Sequence, residues 1–248
     1  MLLRRVADVL RSARRVTVLT GAGVSAASGV PTFRGTDGLW KSFRPEDLAT
    51  PEAFARDPAL VWEWYDWRRQ KIALCQPNRA HEVLASWGAR FARYVLVTQN
   101  VDGLHERAGL APLRLHGSIW QLACWDGCGA PSWRDERAPL PHRPPRCPAC
   151  GGLARPGVVW FGEGLDPRVV ARASESAGCD VFITAGTSSL VYPAAGLIHD
   201  AHRRGAFTVE INPDRTPASA IVEARLPGGA EQVLDALDRV LWAQGSGL

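Results

Sequence analysis

The chain has 248 residues, 46 % of them hydrophobic, and its 29 basic and 25 acidic side chains leave a formal charge of +4. That length and apolar share exclude global disorder and allow one large α/β domain, or a domain with a smaller module. The small charge excess, without a long basic run, argues against nucleic acid as a partner, and no stretch approaches the ~18 apolar residues of a membrane span.

Leu2, Leu3, Val6, Val9 and Leu10 recur at helical spacing among Arg4, Arg5, Arg11, Arg14 and Arg15. The pattern predicts a first amphipathic helix and lacks the continuous apolar core of a signal peptide. A cytoplasmic location is expected, with an arginine-rich organelle presequence as the rival. Val16-Thr17-Val18-Leu19-Thr20 then reads as a buried strand. It runs into GAGVSAASGVPTFR, Gly21 to Arg34, where small residues let a ligand approach the main chain as nucleotide phosphates do in open α/β sheets. The spacing is not G-x-G-x-x-G, so the hydride-transfer fingerprint is not met, and a tight structural turn is the competing reading.

Gly35 to Gln76 is an insertion before the next strand. Thr50 and Pro51 are suited to the N-cap and first position of a helix. Leu60 to Leu74 carries Trp62, Trp64, Tyr65 and Trp67, mostly as packing, while Tyr65 and Arg68 share a helix face and can meet one ligand. A helix over Arg79–Gly88 leads to a strand, Tyr94–Thr98. That strand ends in Gln99-Asn100-Val101-Asp102-Gly103-Leu104-His105, a polar cluster where such sheets bind ligands. His116 follows, with an ordinary pKa near 6.5 that suits a base.

Cys124 and Cys128, then Cys147 and Cys150, form two close pairs. In a reducing compartment they predict one tetrahedral, structural zinc holding a small ribbon without a core of its own. Cys75 and Cys179 read as packing. The stretch Val158-Val159-Trp160-Phe161 is apolar and extended, either a strand edge that pairs with a peptide or a core segment. A strand over Asp180–Ala185 enters the loop Gly186-Thr187-Ser188-Ser189. A helix over Pro193–Arg204, a strand Phe207–Ile211 ending near Asn212, and a helix over Glu231–Trp242 complete a mostly parallel α/β sheet.

Together these stretches resemble the sirtuins, NAD-dependent protein-lysine deacylases. The resemblance is carried by GAGVSAASGVPTFRG (21–35), QNVDGLH (99–105), LHGS (115–118), the cysteine pairs, VVWFGE (158–163), GTSS (186–189) and EIN (210–212). One departure is the first cysteine pair, spaced by three residues where the family commonly has two. The resemblance implies one catalytic domain over 1–248, a Rossmann-like sheet with a helical insertion at 35–80 and a zinc-ribbon insertion at 119–158.

It further implies that Gly21, Ala22, Gly23, Phe33, Arg34, Trp40, Gln99, Asn100, Val101 and Asp102 line the NAD and nicotinamide pocket. Gly186, Thr187 and Ser188 would hold phosphate and ribose, and Asn212, Pro213, Asp214 and Ala230 the adenosine end. His116 would be the general base and Val158, Val159, Trp160 and Phe161 the substrate-backbone edge. NAD would be consumed, releasing nicotinamide and an acylated ADP-ribose.

The Tyr65–Arg68 pair is similar to that of the subgroup that removes succinyl, malonyl or glutaryl groups, with acetyl as a further substrate. A guanidinium takes a distal carboxylate bidentately and the phenol donates another hydrogen bond, whereas acetyl offers neither a partner. Acylated-lysine proteins or peptides are the expected partners of a monomer that meets no membrane and no specific nucleic acid. The alternatives are a deacetylase or protein ADP-ribosyltransferase using the same NAD site, and a non-enzymatic zinc-ribbon binder of nucleic acid.

Overall fold

The computed structural model describes residues 1–31 and 44–243. Its strands are β1 (Arg15–Thr20), β2 (Arg93–Thr98), β3 (Leu113–Arg114), β4 (Gly117–Cys124), β5 (Trp133–Arg134), β6 (Ala154–Val158), β7 (Val181–Ala185), β8 (Phe207–Ile211) and β9 (Ala224–Leu226). Its helices are α1 (Leu2–Ser12), α2 (Pro45–Leu48), α3 (Pro51–Arg56), α4 (Pro58–Leu74), α5 (Arg79–Arg90), α6 (Leu104–Arg107), α7 (Pro167–Ser176), α8 (Gly196–Arg203) and α9 (Ala230–Trp242).

Six strands form one parallel sheet in the order β3-β2-β1-β7-β8-β9. The alternation along β1 explains why both faces are covered. Val16 and Val18 point to α1, α5 and α9, where Val6, Leu10, Val83, Leu84, Trp87, Leu234 and Leu237 bury them. Leu19 lies on the other face, with Phe182 of β7, against Ala173, Leu197 and Ile198 of α7 and α8. A smaller antiparallel sheet, β5-β4-β6, carries the four close-paired cysteines and packs on α3 and α4 through Phe54, Trp62, Trp64, Ile119, Leu122 and Trp160. The expected mostly parallel α/β sheet with a small ribbon is thus what forms.

Local chemistry sets the helix starts. Thr50 Oγ1 accepts the Ala53 N–H at 3.1 Å with Pro51 in the first turn, as expected. The long aromatic helix starts two residues earlier than its apolar pattern showed, because Asp57 caps it by accepting the Leu60 N–H at 2.9 Å. Each such cap contributes about 1 kcal/mol. The helix expected from Pro193 begins at Gly196 instead, since Val191 to Ala195 first close a turn in which the Ala195 N–H donates to the Val191 carbonyl at 2.9 Å. Among the described residues, no helix is long and apolar enough to cross a membrane.

Candidate active site

β1 pairs with both β2 and β7, so the chain leaves β1 on one side and returns on the other. Such a switch in strand order opens a crevice at the carboxyl ends of the strands. The loops that follow β1 and β7 meet there. The Gly21 N–H donates to the Ala185 carbonyl at 3.1 Å and the Gly23 N–H to the Gly186 carbonyl at 2.8 Å. A Cβ on Gly21 would stand 2.7 Å from the Gly186 oxygen, and one on Gly186, whose φ is +60°, 2.4 Å from the Val24 nitrogen. These glycines therefore let two loops close on each other. Both roles weighed from the sequence, ligand approach and a tight turn, are joined by this contact between the loops.

The second loop is fixed from both sides. Gln99 Nε2 donates to Thr187 Oγ1 at 2.9 Å and Asn212 Nδ2 to the Thr187 carbonyl at 2.7 Å. Gly186, Thr187, Ser188 and Asn212 thus gather beside Gly21, Ala22 and Gly23. Arg225 of β9 holds the next turn by donating to the carbonyls of Asn212 (3.3 Å) and Pro213 (2.8 Å), and the Asp214 N–H donates to Asn212 Oδ1 at 3.3 Å. Ala230 opens α9 and is buried in the same core cluster as Val24. Phe33, Arg34 and Trp40 lie outside the described residues.

Asn100 Nδ2 donates to the Gly21 carbonyl at 3.1 Å and to Ser25 Oγ at 3.2 Å. Ser25 in turn donates to Asp102 Oδ2 at 2.7 Å, and the Leu104 N–H to Asp102 Oδ1 at 2.8 Å. Next to Asp102, the Val101 carbonyl receives the Ile119 N–H at 2.9 Å. Burial pushes the Asp102 carboxyl up, against the hydrogen bonds from Leu104 and Ser25 and the nearby guanidiniums of Arg68 and Arg107.

Three further residues of this network, His81, His105 and Ser25, were given no role of their own from the sequence. His81 Nδ1 accepts the Asn78 N–H at 3.2 Å, which leaves its Nε2–H to face Ser25 Oγ at 3.4 Å. Its ring lies 4.8 Å from that of His105, whose Nε2 meets Thr20 Oγ1 at 3.0 Å. Ser25 stood inside the small-residue run and was findable, and His105 closed the polar cluster. His81 carries no local signal, because only the packing of α5 under β1 brings it there.

His116 sits at the mouth of β4, with Nδ1 3.0 Å from the Gln99 carbonyl. A carbonyl only accepts, so Nδ1 carries the proton and Nε2 keeps its lone pair. Burial lowers the ring's pKa below 6.5 while the Gln99 bond pulls it up. The imidazole is thereby a neutral base at physiological pH.

Across the cleft, α4 buries Tyr65 and Arg68 at 4 % exposure each. Arg68 is thus a buried guanidinium rather than a solvated one. Its guanidinium carbon lies 5.4 Å over the Trp64 ring, and burial lowers its pKa while Tyr65 and Asp102 raise it. Arg68 and Asp102 thus feel each other, which joins the two clusters. Arg69, the next residue, is buried in the opposite direction as a brace, donating to the carbonyls of Ile119 and Asp135 at 2.6 Å each. Trp160 Nε1 donates to the Tyr65 hydroxyl at 2.9 Å, and burial pushes the Tyr65 phenol up so that it stays protonated.

The segment after β6 is less open than an extended reading suggests. The Val159 N–H donates to the His116 carbonyl at 3.0 Å, the Trp160 N–H to Glu163 at 2.8 Å and the Phe161 N–H to the Ala49 carbonyl at 2.9 Å. Val158 and Trp160 are buried and Phe161 is exposed. Leu190, Val191 and Tyr192, which the sequence reading passed over, are also exposed apolar side chains directly after the Gly186–Ser189 loop.

Away from the cleft, the Sγ atoms of Cys124, Cys128, Cys147 and Cys150 all lie within 4.8 Å of one another. Cys124 and Cys150 are 3.6 Å apart and Cys128 and Cys147 3.7 Å. Zn–S bonds of about 2.3 Å at tetrahedral angles place sulfurs roughly 3.8 Å apart, so the donor set fits one closed, structural zinc. The longer first knuckle reaches the same cluster. Cys147 is placed by its own N–H, which donates to the Gly152 carbonyl at 2.8 Å and turns the second knuckle.

Comparison with known proteins finds that the Sir2 family model matches residues 21–193. A protein of Aquifex aeolicus named NAD-dependent protein deacylase is 54 % identical over 210 residues, covering 84 % of this chain and 87 % of its own. A mutant Sir2 homologue in complex with 2′-O-acetyl ADP-ribose superposes with a TM-score of 0.92 at 46 % identity, covering 98 % of both chains. A Sir2 homologue in complex with NAD superposes at 0.91 with 47 % identity, covering 96 % of this chain and 93 % of that one.

Proposed function

This chain belongs to the Sir2 family, and on that premise we propose that it is an NAD-dependent protein-lysine deacylase with a pocket for acidic acyl groups. The first part rests on the relatives, one an NAD-dependent protein deacylase and two solved with NAD or an acetylated ADP-ribose. The crevice fits the dinucleotide in kind. Two small-residue loops close over the strand ends, leaving main chain at the surface of the cleft. In this reading Gly21, Ala22, Gly23, Gly186, Thr187 and Ser188 hold the phosphates and ribose, and Asn212, Pro213, Asp214 and Ala230 the adenosine end. Gln99, Asn100, Val101 and Asp102 surround nicotinamide, together with Phe33, Arg34 and Trp40.

NAD supplies a glycosidic carbon from which nicotinamide departs, to be captured by the acyl oxygen of the lysine. His116, neutral with its lone pair on Nε2, takes a proton from a ribose hydroxyl in the step that follows. Asp102 and Ser25, bonded to each other and to main chain, keep a fixed dipolar wall where positive charge develops. The N–H groups of Val159, Trp160 and Phe161 are taken within the chain, so a substrate backbone would donate to carbonyls of this segment.

One observation carries the acidic-acyl reading: α4 buries a guanidinium and a protonated phenol three residues apart. A succinyl, malonyl or glutaryl carboxylate entering there is taken by Arg68, and the Tyr65 hydroxyl donates to it. Mass spectrometry of one lysine peptide, succinylated or acetylated, incubated with and without NAD, tests both parts. Fast NAD-dependent loss of succinyl with slower loss of acetyl is expected. Loss of acetyl alone would remove the acidic pocket, and intact peptides with intact NAD would remove the deacylase.

A further inference from the structure

We propose that Arg155, Glu163 and Trp160 act as a positioning relay that sets the direction of the Tyr65 hydroxyl and so tunes the preference for acidic acyl groups. The inference rests on the acidic-pocket reading above. It starts from what a phenol can do: one O–H to donate, two lone pairs to accept. Trp160 Nε1, donor only, takes one of those lone pairs at 2.9 Å. The proton of Tyr65 is thereby turned away from the indole and toward an acceptor elsewhere. With Arg68 one helical turn along α4, the acceptor that both groups can share is an anion between them.

The indole can do this only if its plane is fixed, and three contacts fix it. The Arg155 guanidinium lies over the Trp160 ring, 3.7 Å from its centroid. Arg155 is held in turn by a fork-to-fork pair with Glu163, Nη2 to Oε2 at 2.8 Å and Nη1 to Oε1 alongside, and by a bond from Nη2 to the Val158 carbonyl at 3.0 Å. Glu163 Oε2 also accepts the Trp160 N–H at 2.8 Å, so one carboxylate ties both the stacked cation and the backbone of the ring it covers. The Phe54 ring closes the side, 5.3 Å from that of Trp160. These groups come from α3, from β6 and from the segment that follows it, and converge on a single indole.

Such a clamp does not touch the reacting atoms. Its effect belongs to substrate selection, and it reads out as a ratio. Glu163→Gln keeps the size and one hydrogen bond of the side chain but removes the charge that locks Arg155 over the ring. In the full-length, zinc-loaded protein with saturating NAD, the kcat/KM ratio of succinyl to acetyl peptide is expected to fall about threefold to tenfold, mainly through the succinyl KM. Trp160→Phe keeps an aromatic ring under Arg155 but deletes the indole N–H along with one ring of the bicycle, so the same fall in ratio is expected from a variant that packs differently. Arg155→Lys keeps the charge but not the flat fork, and is expected to lower the ratio as well.

Arg68→Met separates this proposal from the reading beneath it. If Arg68→Met collapses the ratio while Glu163→Gln and Trp160→Phe leave it at the wild-type value, the relay is wrong and the acidic pocket stands. If Arg68→Met leaves the ratio unchanged as well, the pocket reading fails and takes the relay with it. Equal losses on both peptides in all variants, with KM unmoved, would reduce the clamp to general packing and overturn it too.

Discussion

The two halves of the cleft are built from different materials. On the parallel-sheet side the walls are backbone and short side chains: Gly21, Gly23 and Gly186 in mutual contact, with Thr187, Ser25 and Asn100 tying the loops. On the side of the small sheet and α4 they are long side chains, with Trp160, Tyr65, Arg68 and Arg155 stacked and cross-bonded. Main chain at van der Waals distance admits few alternatives, so that side can hold a cofactor part common to all reactions of the enzyme. Long side chains on a separate core can change identity without unfolding the sheet, which suits the proposed role of this side in choosing a substrate group. On that reading, shared chemistry and substrate choice are kept on different packing units.

That division can be broken most sharply at the junction. His116→Ala removes the proposed base while its main-chain carbonyl still receives the Val159 N–H. Turnover on succinyl and acetyl peptides alike is expected to drop by about 100-fold to 10,000-fold, with the thermal midpoint little changed. A variant that keeps normal single-turnover rates would take His116 out of the base role. Cys147→Ala attacks the far side, leaving three thiolates around a closed metal site. Zinc release in a chelator-dye assay is expected, with early unfolding of the β4–β6 sheet in hydrogen exchange while the parallel sheet stays protected. Uniform loss of protection would show that the two halves are one cooperative unit. Gly186→Ala probes the sheet side: a Cβ 2.4 Å from the Val24 nitrogen at φ +60° forces the loops apart. A loss of about 2 kcal/mol or more in urea unfolding is expected, with a higher KM for NAD. An unchanged midpoint would mean that the loops have room to spare.

The same division explains what the sequence made legible. The strands, the switch-point loops and the cysteine pairs are local patterns: β-branched runs, clustered glycines, close thiols. Each could be read in place, and the family resemblance joined them. Arg69 and the Arg155–Glu163 clamp could not, because what makes them matter is a partner fifty or more residues away or a ring plane set by packing. His81 is the clearest case. Its role in holding Ser25 depends on an Nδ1 already taken by the Asn78 N–H, and no spacing in the sequence announces that. The reason for the glycines was hidden for the same cause, since Gly21 and Gly186 are neighbours only after the sheet has closed.

The smallest expected effect separates chemistry from stability through pH. As the proposed base His116 must be neutral, and burial sets its pKa below the ordinary 6.5. The acid limb of kcat/KM should therefore bend below pH 6.5, with activity rising with pH through that point and then level. Burial also holds His81 down to about 4 and His105 down to about 3. All three imidazoles bind protons more readily in the unfolded chain, so stability falls as pH drops through 6.5 and keeps falling toward 4. Asp102, whose carboxyl is raised by burial, binds its proton more readily in the folded chain and so opposes this trend. Urea midpoints from pH 7.5 to 5 should thus decline with a slope shared among three histidines, while the kinetic bend belongs to one. His105→Gln should flatten part of the stability slope and leave the kinetic bend where it was. If it moves the bend instead, the buried imidazole pair is coupled to the base, and the sheet side of the cleft titrates as one unit.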